Sequence, residues 1–369
     1  MKNKVKVMVI FGTRPEAIKM APLVTELQKH PDTFEAIACS TGQHRDMLKQ
    51  VLDVFEIEPT HELDVMVPNQ TLAGLTSRLI QKLDTLFGEV KPDCVLVHGD
   101  TTTAMASALA AYYHKIPIGH VEAGLRTYDR YQPFPEELNR QLVDRLSTFH
   151  FTPTQTASDH LIQEYTPKDY ICITGNTVID ALQIVVEKPC ELPVDIDWDN
   201  RKVILVTAHR RENFGEPLEN ICQALNDVVD KYPDVEIIYP VHYNPNVQDT
   251  VYGRLKDIDR IHLVEPLNYL EFAKLMSKSY IILTDSGGIQ EEAPALGVPV
   301  LVMRDVTERP EAVAAGTVRV VGTDTAHIVA EVSKLMDPEE HKSMSQAMNP
   351  YGDGTASRNI VGILKEALA

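Results

Sequence analysis

The chain has 369 residues, 44% of them hydrophobic, with 35 basic against 53 acidic side chains and a net charge of −18. Its length exceeds what one hydrophobic core usually serves, so two domains are expected. The acidic balance argues against a nucleic-acid partner, whose phosphates call for a net basic surface, yet leaves room for a small anionic ligand held by a local arginine cluster.

Short β-branched runs alternate with helical patterns along most of the chain, the mark of parallel sheets built from βαβ units. The N-terminal MKNKVKVMVIF faintly imitates a secretion signal. Its apolar part is short, lacks a small-residue cleavage site and runs straight into GTRPE, so it reads as a first strand, Val5–Phe11. Strands follow at Phe34–Ser40, Cys94–His98, Ile116–Val121 and Phe149–Thr152. Helices are expected near Pro15–Lys29, Asp46–Val54, Thr71–Phe87, Thr101–His114, Glu136–Leu146 and Thr156–Tyr165. The texture changes at Val185–Asn200, a proline-rich and acidic stretch holding the only tryptophan, which reads as a linker.

Alternation then restarts. Strands are expected at Val203–Thr207, Val235–Pro240, Ile261–Val264, Ile281–Thr284, Val298–Val302 and Val318–Val321, with helices between them and at Asp324–Met336. A last helical pattern, Ser357–Leu368, follows a glycine-containing loop. The expected class is α/β, with two doubly wound domains, 1–184 and 185–354, facing each other across a cleft.

Several chemistries lose ground by absence. The first strand runs into GTRPEA, not GxGxxG, and neither GxxxxGK[ST] nor HExxH occurs. No cofactor and no metal are expected. The five cysteines (Cys39, Cys94, Cys172, Cys190 and Cys222) are scattered without CxxC spacing and read as reduced, buried thiols. No apolar run is long enough to cross a bilayer, and the expected location is cytoplasmic without a membrane partner.

Four groups stand just beyond apolar runs: Asp100 in VHGDTTT, Glu122 in GHVEAGLRT, Glu136 in PFPEELNR and His209 in TAHRREN. In open α/β sheets, ligands bind beyond the carboxyl ends of the strands. Taken singly, each acid is better read as structural, Asp100 as a helix N-cap and Glu136 as a first-turn acid. Jointly they point to acid–base chemistry, since neighbouring carboxylates raise one another's pKa. His209, flanked by Arg210 and Arg211, is placed to assist a phosphate leaving group.

Two turns are candidate phosphate cradles. GTRPE puts Pro15 at a first helical position with Arg14 before it and Lys19 one turn on, an anion site unless these are a loop arginine and a solvated lysine. DSGG supplies Ser286, Gly287 and Gly288 amides, with Glu292 placed for ribose hydroxyls; the alternative is a plain glycine turn. A helix dipole gives only about 0.3–1 kcal/mol per charge and a charge-assisted hydrogen bond about 1.5–3 kcal/mol. Holding a diphosphate therefore needs several donors, among them Arg14, Lys19 and Arg309, acting across both domains.

GTRPEAIKMAPL, VHGDTTT, HVEAGLRT, FPEELNR, TAHRREN and TDSGGIQEEAPALG, in this order, resemble the non-hydrolysing bacterial UDP-N-acetylglucosamine 2-epimerases. The resemblance spans essentially the whole chain. It implies a glycosyltransferase-B-like fold with a C-terminal helix (355–369) crossing back to the first domain, and a homodimer. It also implies interconversion of UDP-GlcNAc and UDP-ManNAc through 2-acetamidoglucal and bound UDP, serving cell-wall polymers or capsule. Asp100, Glu122, Glu136 and His209 are then the catalytic candidates. Arg14, Lys19, Leu267, Phe272, Ser286, Gly287, Gly288, Glu292 and Arg309 are the UDP contacts, Leu267 through its backbone. A further pattern, a second activating UDP-GlcNAc, maps to Gln43, His44, Gln70, Glu136, Arg210 and His242. The rivals are a glycosyltransferase of the same fold, a hydrolysing relative that releases free ManNAc, and a non-catalytic UDP-sugar sensor.

Overall fold

The computed structural model describes residues 4–42 and 45–369. They form two compact units, Met1–Ile184 with Tyr351–Ala369, and Val185–Pro350.

The first unit runs β1 (Val5–Phe11), α1 (Arg14–Gln28), β2 (Phe34–Ser40), α2 (Arg45–Phe55), β3 (His61–Glu62), α3 (Leu72–Val90), β4 (Cys94–His98), α4 (Thr102–Tyr113), β5 (Ile118–Val121), α5 (Glu136–Leu146), β6 (Phe149–Thr152), α6 (Gln155–Gln163), β7 (Ile171–Ile173) and α7 (Thr177–Val186). Its parallel sheet is ordered β3-β2-β1-β4-β5-β6-β7. Chain progress reverses between β1 and β4, the switch point at which such sheets bind ligands. Met8, Ile10, Leu79, Leu83, Val95 and Val97 belong to a core under the helices of one face.

The second unit repeats the plan: β8 (Lys202–Thr207), α8 (Glu216–Lys231), β9 (Val235–Pro240), α9 (Pro245–Leu255), β10 (Ile261–Val264), α10 (Tyr269–Lys278), β11 (Ile281–Thr284), α11 (Ile289–Ala295), β12 (Val300–Val302), α12 (Pro310–Ala314), β13 (Val318–Val320), α13 (Thr325–Leu335) and α14 (Pro338–Ser345). Sheet order is β10-β9-β8-β11-β12-β13, so its switch point lies between β8 and β11. The α/β class with two doubly wound sheets matches the expectation.

Differences from the expected elements have local causes. Ile116–Val121 and Val298–Val302 shorten to Ile118–Val121 and Val300–Val302 because Pro117 and Pro299 have no N–H for the ladder. β3 and β7 are too short to show a period, and α7 and α14 were not anticipated. The start of α14 is nonetheless written in the chain: Asp337 accepts the Glu339 and Glu340 amides, and Pro338 sits in the first turn. The stretch read as a linker is tied to the second unit, with Lys274 Nζ donating to the Val186 carbonyl and Lys278 Nζ over the Trp198 ring. The cysteines are free, and Cys172 and Cys190 are only half-buried because β7 and the 187–201 stretch lie at the periphery.

The last helix, α15 (Ala356–Leu368), packs on α1 in the first unit. It buries Ile360, Val361 and Leu364, each contributing about 1.5–3 kcal/mol. Asp180 of α7 accepts the Ser357 and Ala356 amides at its start, supplying the cap that Thr355 does not.

Candidate active site

At the first switch point, α1 begins with a capping box. Thr13 Oγ1 accepts the Glu16 amide, and Glu16 Oε2 accepts the amides of Gly12 (3.0 Å) and Thr13 (2.7 Å). Glu16 is buried, and Thr101 Oγ1 donates to its other oxygen at 2.5 Å. In this structure the Gly12 and Thr13 amides of the GTRPE turn are bound to the protein's own carboxylate. Gly12 is a glycine for internal reasons, since a Cβ there would lie 2.2 Å from Thr41 Oγ1. Arg14 is the first helical residue and Pro15 the second, one place later than expected.

Glu122 follows β5 directly. Its φ of +64 is left-handed, a conformation that costs a non-glycine residue about 1–2 kcal/mol and collects at functional sites. Lys19 Nζ stands 2.6 Å from Oε1, Asn176 Nδ2 donates to Oε1 at 3.1 Å, and His98 Nε2 lies 3.1 Å from Oε2. Burial pushes the Glu122 pKa up, but Lys19 and His98 outweigh it and hold the carboxyl well below its usual range. Lys19, expected as a UDP contact, is thus the partner of a candidate catalytic acid.

Asp100 lies two residues beyond β4, which pairs with β5 at His98 and Val121. Its carboxylate is ion-paired with Arg140 Nη2, and its carbonyl accepts Asn139 Nδ2 at 2.9 Å. A Cβ on the intervening Gly99 would stand 3.4 Å from Glu122 Oε2, so the two acids share one end of the sheet. Glu136 is not at a strand end. It opens α5, three and four residues before Asn139 and Arg140 and so on the helix face that holds Asp100.

The loop into α5 is braced from below. Buried Glu137 accepts the Thr127 and Tyr128 amides at 3.0 and 3.1 Å. Arg126, whose side chain is wholly buried, joins Asp144 (2.7 Å) and Glu164 (2.7 Å). His120 contacts Asp144 Oδ1 at 2.5 Å and the Gly99 carbonyl at 2.8 Å, linking the brace to the Asp100 turn.

At the second switch point, β8 and β11 end together at Thr207 and Thr284. His209 follows β8 with its side chain 41% exposed, stacked on His242 at 5.4 Å between ring centroids. Glu308 Oε2 lies 3.8 Å, and Arg210 Nη2 and Arg309 Nη2 each 3.9 Å, from where a Cβ on Gly287 would sit. Neither Gly287 nor Gly288 has a positive φ, and nothing crowds Gly287 within 3.8 Å. The fold itself therefore does not require glycine at 287. Ser286 and Glu292 flank this turn, and Arg309 is ion-paired with Glu291. Leu267 precedes α10 and Phe272 lies on it, both half-buried. Burial pulls the His209 pKa down, as do His242 and Arg210, while Asp285 pulls it up; the net shift is downward.

Of the residues mapped to a second ligand, Gln43 and His44 lie outside the described residues. Gln70 belongs to the first unit, where it accepts from Arg78 Nη2 and, at 3.4 Å, from the Val67 amide. Arg210 and His242 belong to the second, beside His209. Sequence reasoning missed Glu16, His98, Asn176, Arg140 and Asp285. Only Glu16 left a local signal, the T-x-x-E capping-box spacing.

A family model described as UDP-N-acetylglucosamine 2-epimerase matches residues 25–365. The UDP-N-acetylglucosamine 2-epimerase of Bacillus subtilis (strain 168) is 55% identical over 97% of this chain and 94% of its own. That of Escherichia coli (strain K12) is 54% identical over 98% of both. The crystal structure of UDP-GlcNAc 2-epimerase from Neisseria meningitidis bound to UDP-GlcNAc is similar at a TM-score of 0.84 and 51% identity, covering 98% of this chain and 100% of that one.

Proposed function

Because this chain belongs to the UDP-N-acetylglucosamine 2-epimerase family and is therefore an isomerase, we propose that it interconverts UDP-GlcNAc and UDP-ManNAc by elimination and re-addition of UDP. The C1–O bond breaks with its electron pair leaving on UDP, a base takes the C2 proton, and C1=C2 forms, giving 2-acetamidoglucal. In the return step the double bond accepts a proton on the opposite face of C2, and a UDP oxygen closes on C1. Electrons balance without an external oxidant or cofactor.

One observation carries this reading: Asp100 and Glu122 stand at the ends of neighbouring strands, each against a cation. Two carboxylates at one sheet end suit two faces of one carbon, and Lys19 and His98 keep Glu122 ionised. Glu136 lies on the same helix face and completes the acidic set. The C2 proton is not acidic by itself, so its loss must accompany departure of a well-neutralised leaving group. Arg210 and Arg309 over Gly287, with His209 beside them, suit the diphosphate. Arg14, the Ser286–Gly288 turn, Glu292, Leu267 and Phe272 complete the UDP contacts. A second, activating UDP-GlcNAc would appear as a sigmoidal dependence of rate on UDP-GlcNAc, and a homodimer as twice the chain mass in sedimentation.

Incubation with UDP-GlcNAc in deuterated water tests the reaction. Deuterium at C2 of UDP-ManNAc is the expected product; free ManNAc would mean hydrolysis, and absence of turnover would mean a sensor.

Gly287→Ala tests the phosphate turn. Its Cβ meets only ordinary contacts, so the melting temperature should stay within about 2 °C. Kd for UDP should rise about tenfold or more, the loss of one charge-assisted bond. An unchanged UDP affinity by calorimetry removes this turn from the site.

A further inference from the structure

Asp285 is the first residue after β11, and its carboxylate is completely buried. Oδ2 accepts three N–H groups from the segment after β8: His209 amide at 2.8 Å, Arg210 amide at 2.7 Å and Asn213 Nδ2 at 3.1 Å. Asn213 is itself held by the Met303 carbonyl, which fixes the far end of that segment. Oδ1 is buried with no hydrogen bond among the described residues, and 3.5 Å away stands Nδ1 of His209. A buried carboxylate oxygen without a donor is costly. Catalytic hydrogen bonds are often long in a free enzyme and tighten around the ligand, and a small rotation of the imidazole closes this gap.

We propose that Asp285 is the positioning residue of His209, holding its imidazole as the Nδ1–H tautomer so that Nε2 is presented to the departing diphosphate oxygen. This rests on the leaving-group role given to His209 above. A carboxylate bonded to Nδ1–H fixes ring orientation and stabilises the imidazolium as it forms. The charged and titratable groups facing the ring are Asp285, the stacked His242 and Arg210. Among the described residues that face the ring, Asp285 is the group that favours a proton on it, so this buried carboxylate supports the acid form of His209. The same carboxylate also gathers the His209–Asn213 segment into place, so orientation and protonation are set together.

Asp285→Asn separates these roles. The amide oxygen can keep the three N–H donors on the Oδ2 side, which turns the amide NH₂ toward Nδ1 and forces His209 into the Nε2–H tautomer. Two-bond ¹H–¹⁵N spectra of histidine-labelled full-length protein, with His209→Gln to assign the signal, should show Nδ1–H in the unsubstituted chain and Nε2–H in Asp285→Asn. For epimerisation, kcat should fall about 100-fold or more, with KM for UDP-GlcNAc within about threefold. In a His209→Gln background the same substitution should cost less than about threefold more. An Nε2–H tautomer in the unsubstituted chain overturns the proposal, as does a tautomer indifferent to Asp285→Asn in a folded protein, or full additivity of the two losses. The tautomer is read without turnover, so expected spectra in a protein that never epimerises would refute the role of His209 and leave the Asp285 contact standing.

Discussion

Glu122→Gln is expected to lower kcat for UDP-GlcNAc epimerisation by about 10²–10⁴-fold, the usual contribution of a positioned general acid or base. The amide has nearly the shape of the carboxylate but cannot take a proton, and it leaves Lys19 and His98 facing a neutral group. KM should stay within about threefold, because the lost interaction acts on the reacting carbon and not on the nucleotide. Exchange of the C2 hydrogen with deuterated water should fall in parallel. A variant that keeps kcat within tenfold of the unsubstituted enzyme would remove Glu122 from the acid–base pair.

Arg126→Met is expected to produce the largest loss of stability, about 3–5 kcal/mol in the first unit, because it leaves buried Asp144 without its guanidinium partner. Burial raises the Asp144 pKa, yet His120, Arg126 and His150 together hold it at about 2 against a usual 3.8. A depressed folded-state pKa contributes stability that is complete above about pH 4 and lost as pH falls toward 2, here about 2 kcal/mol for a group almost fully buried. In Arg126→Met the Asp144 pKa rises, so acid unfolding should begin at higher pH. Chemical denaturation at pH 7 and at pH 3 reads both effects. An Arg126→Met midpoint within 1 kcal/mol of the parent would show that this brace is not what holds the loop between Glu122 and Glu136.

Much of the architecture is legible from periodicity. CVLVH is buried throughout and VKVMVIF at every position but Lys6, because both faces of a parallel sheet carry helices, and such runs announce themselves. The strands that escaped, β3 with two residues and β7 with three, are too short for any period and are ordered by the neighbouring strand. The candidate residues Asp100, Glu122 and His209 were found by the same logic, as polar groups just past apolar runs. Glu136 was placed at a strand end because the long loop before it, held by Glu137 and Arg126, has no periodic signature.

The chain by itself determined where most of the longer strands end, and hence which side chains stand at the carboxyl rim of each sheet. It also carried the family likeness in six ordered blocks. Tertiary structure alone decided the partners. Lys19 reaches Glu122 across 103 residues, and Asp285 gathers His209 across 76. Strand order, not local spacing, brings those termini together, and burial there leaves each charge only the neighbours that the sheet supplies.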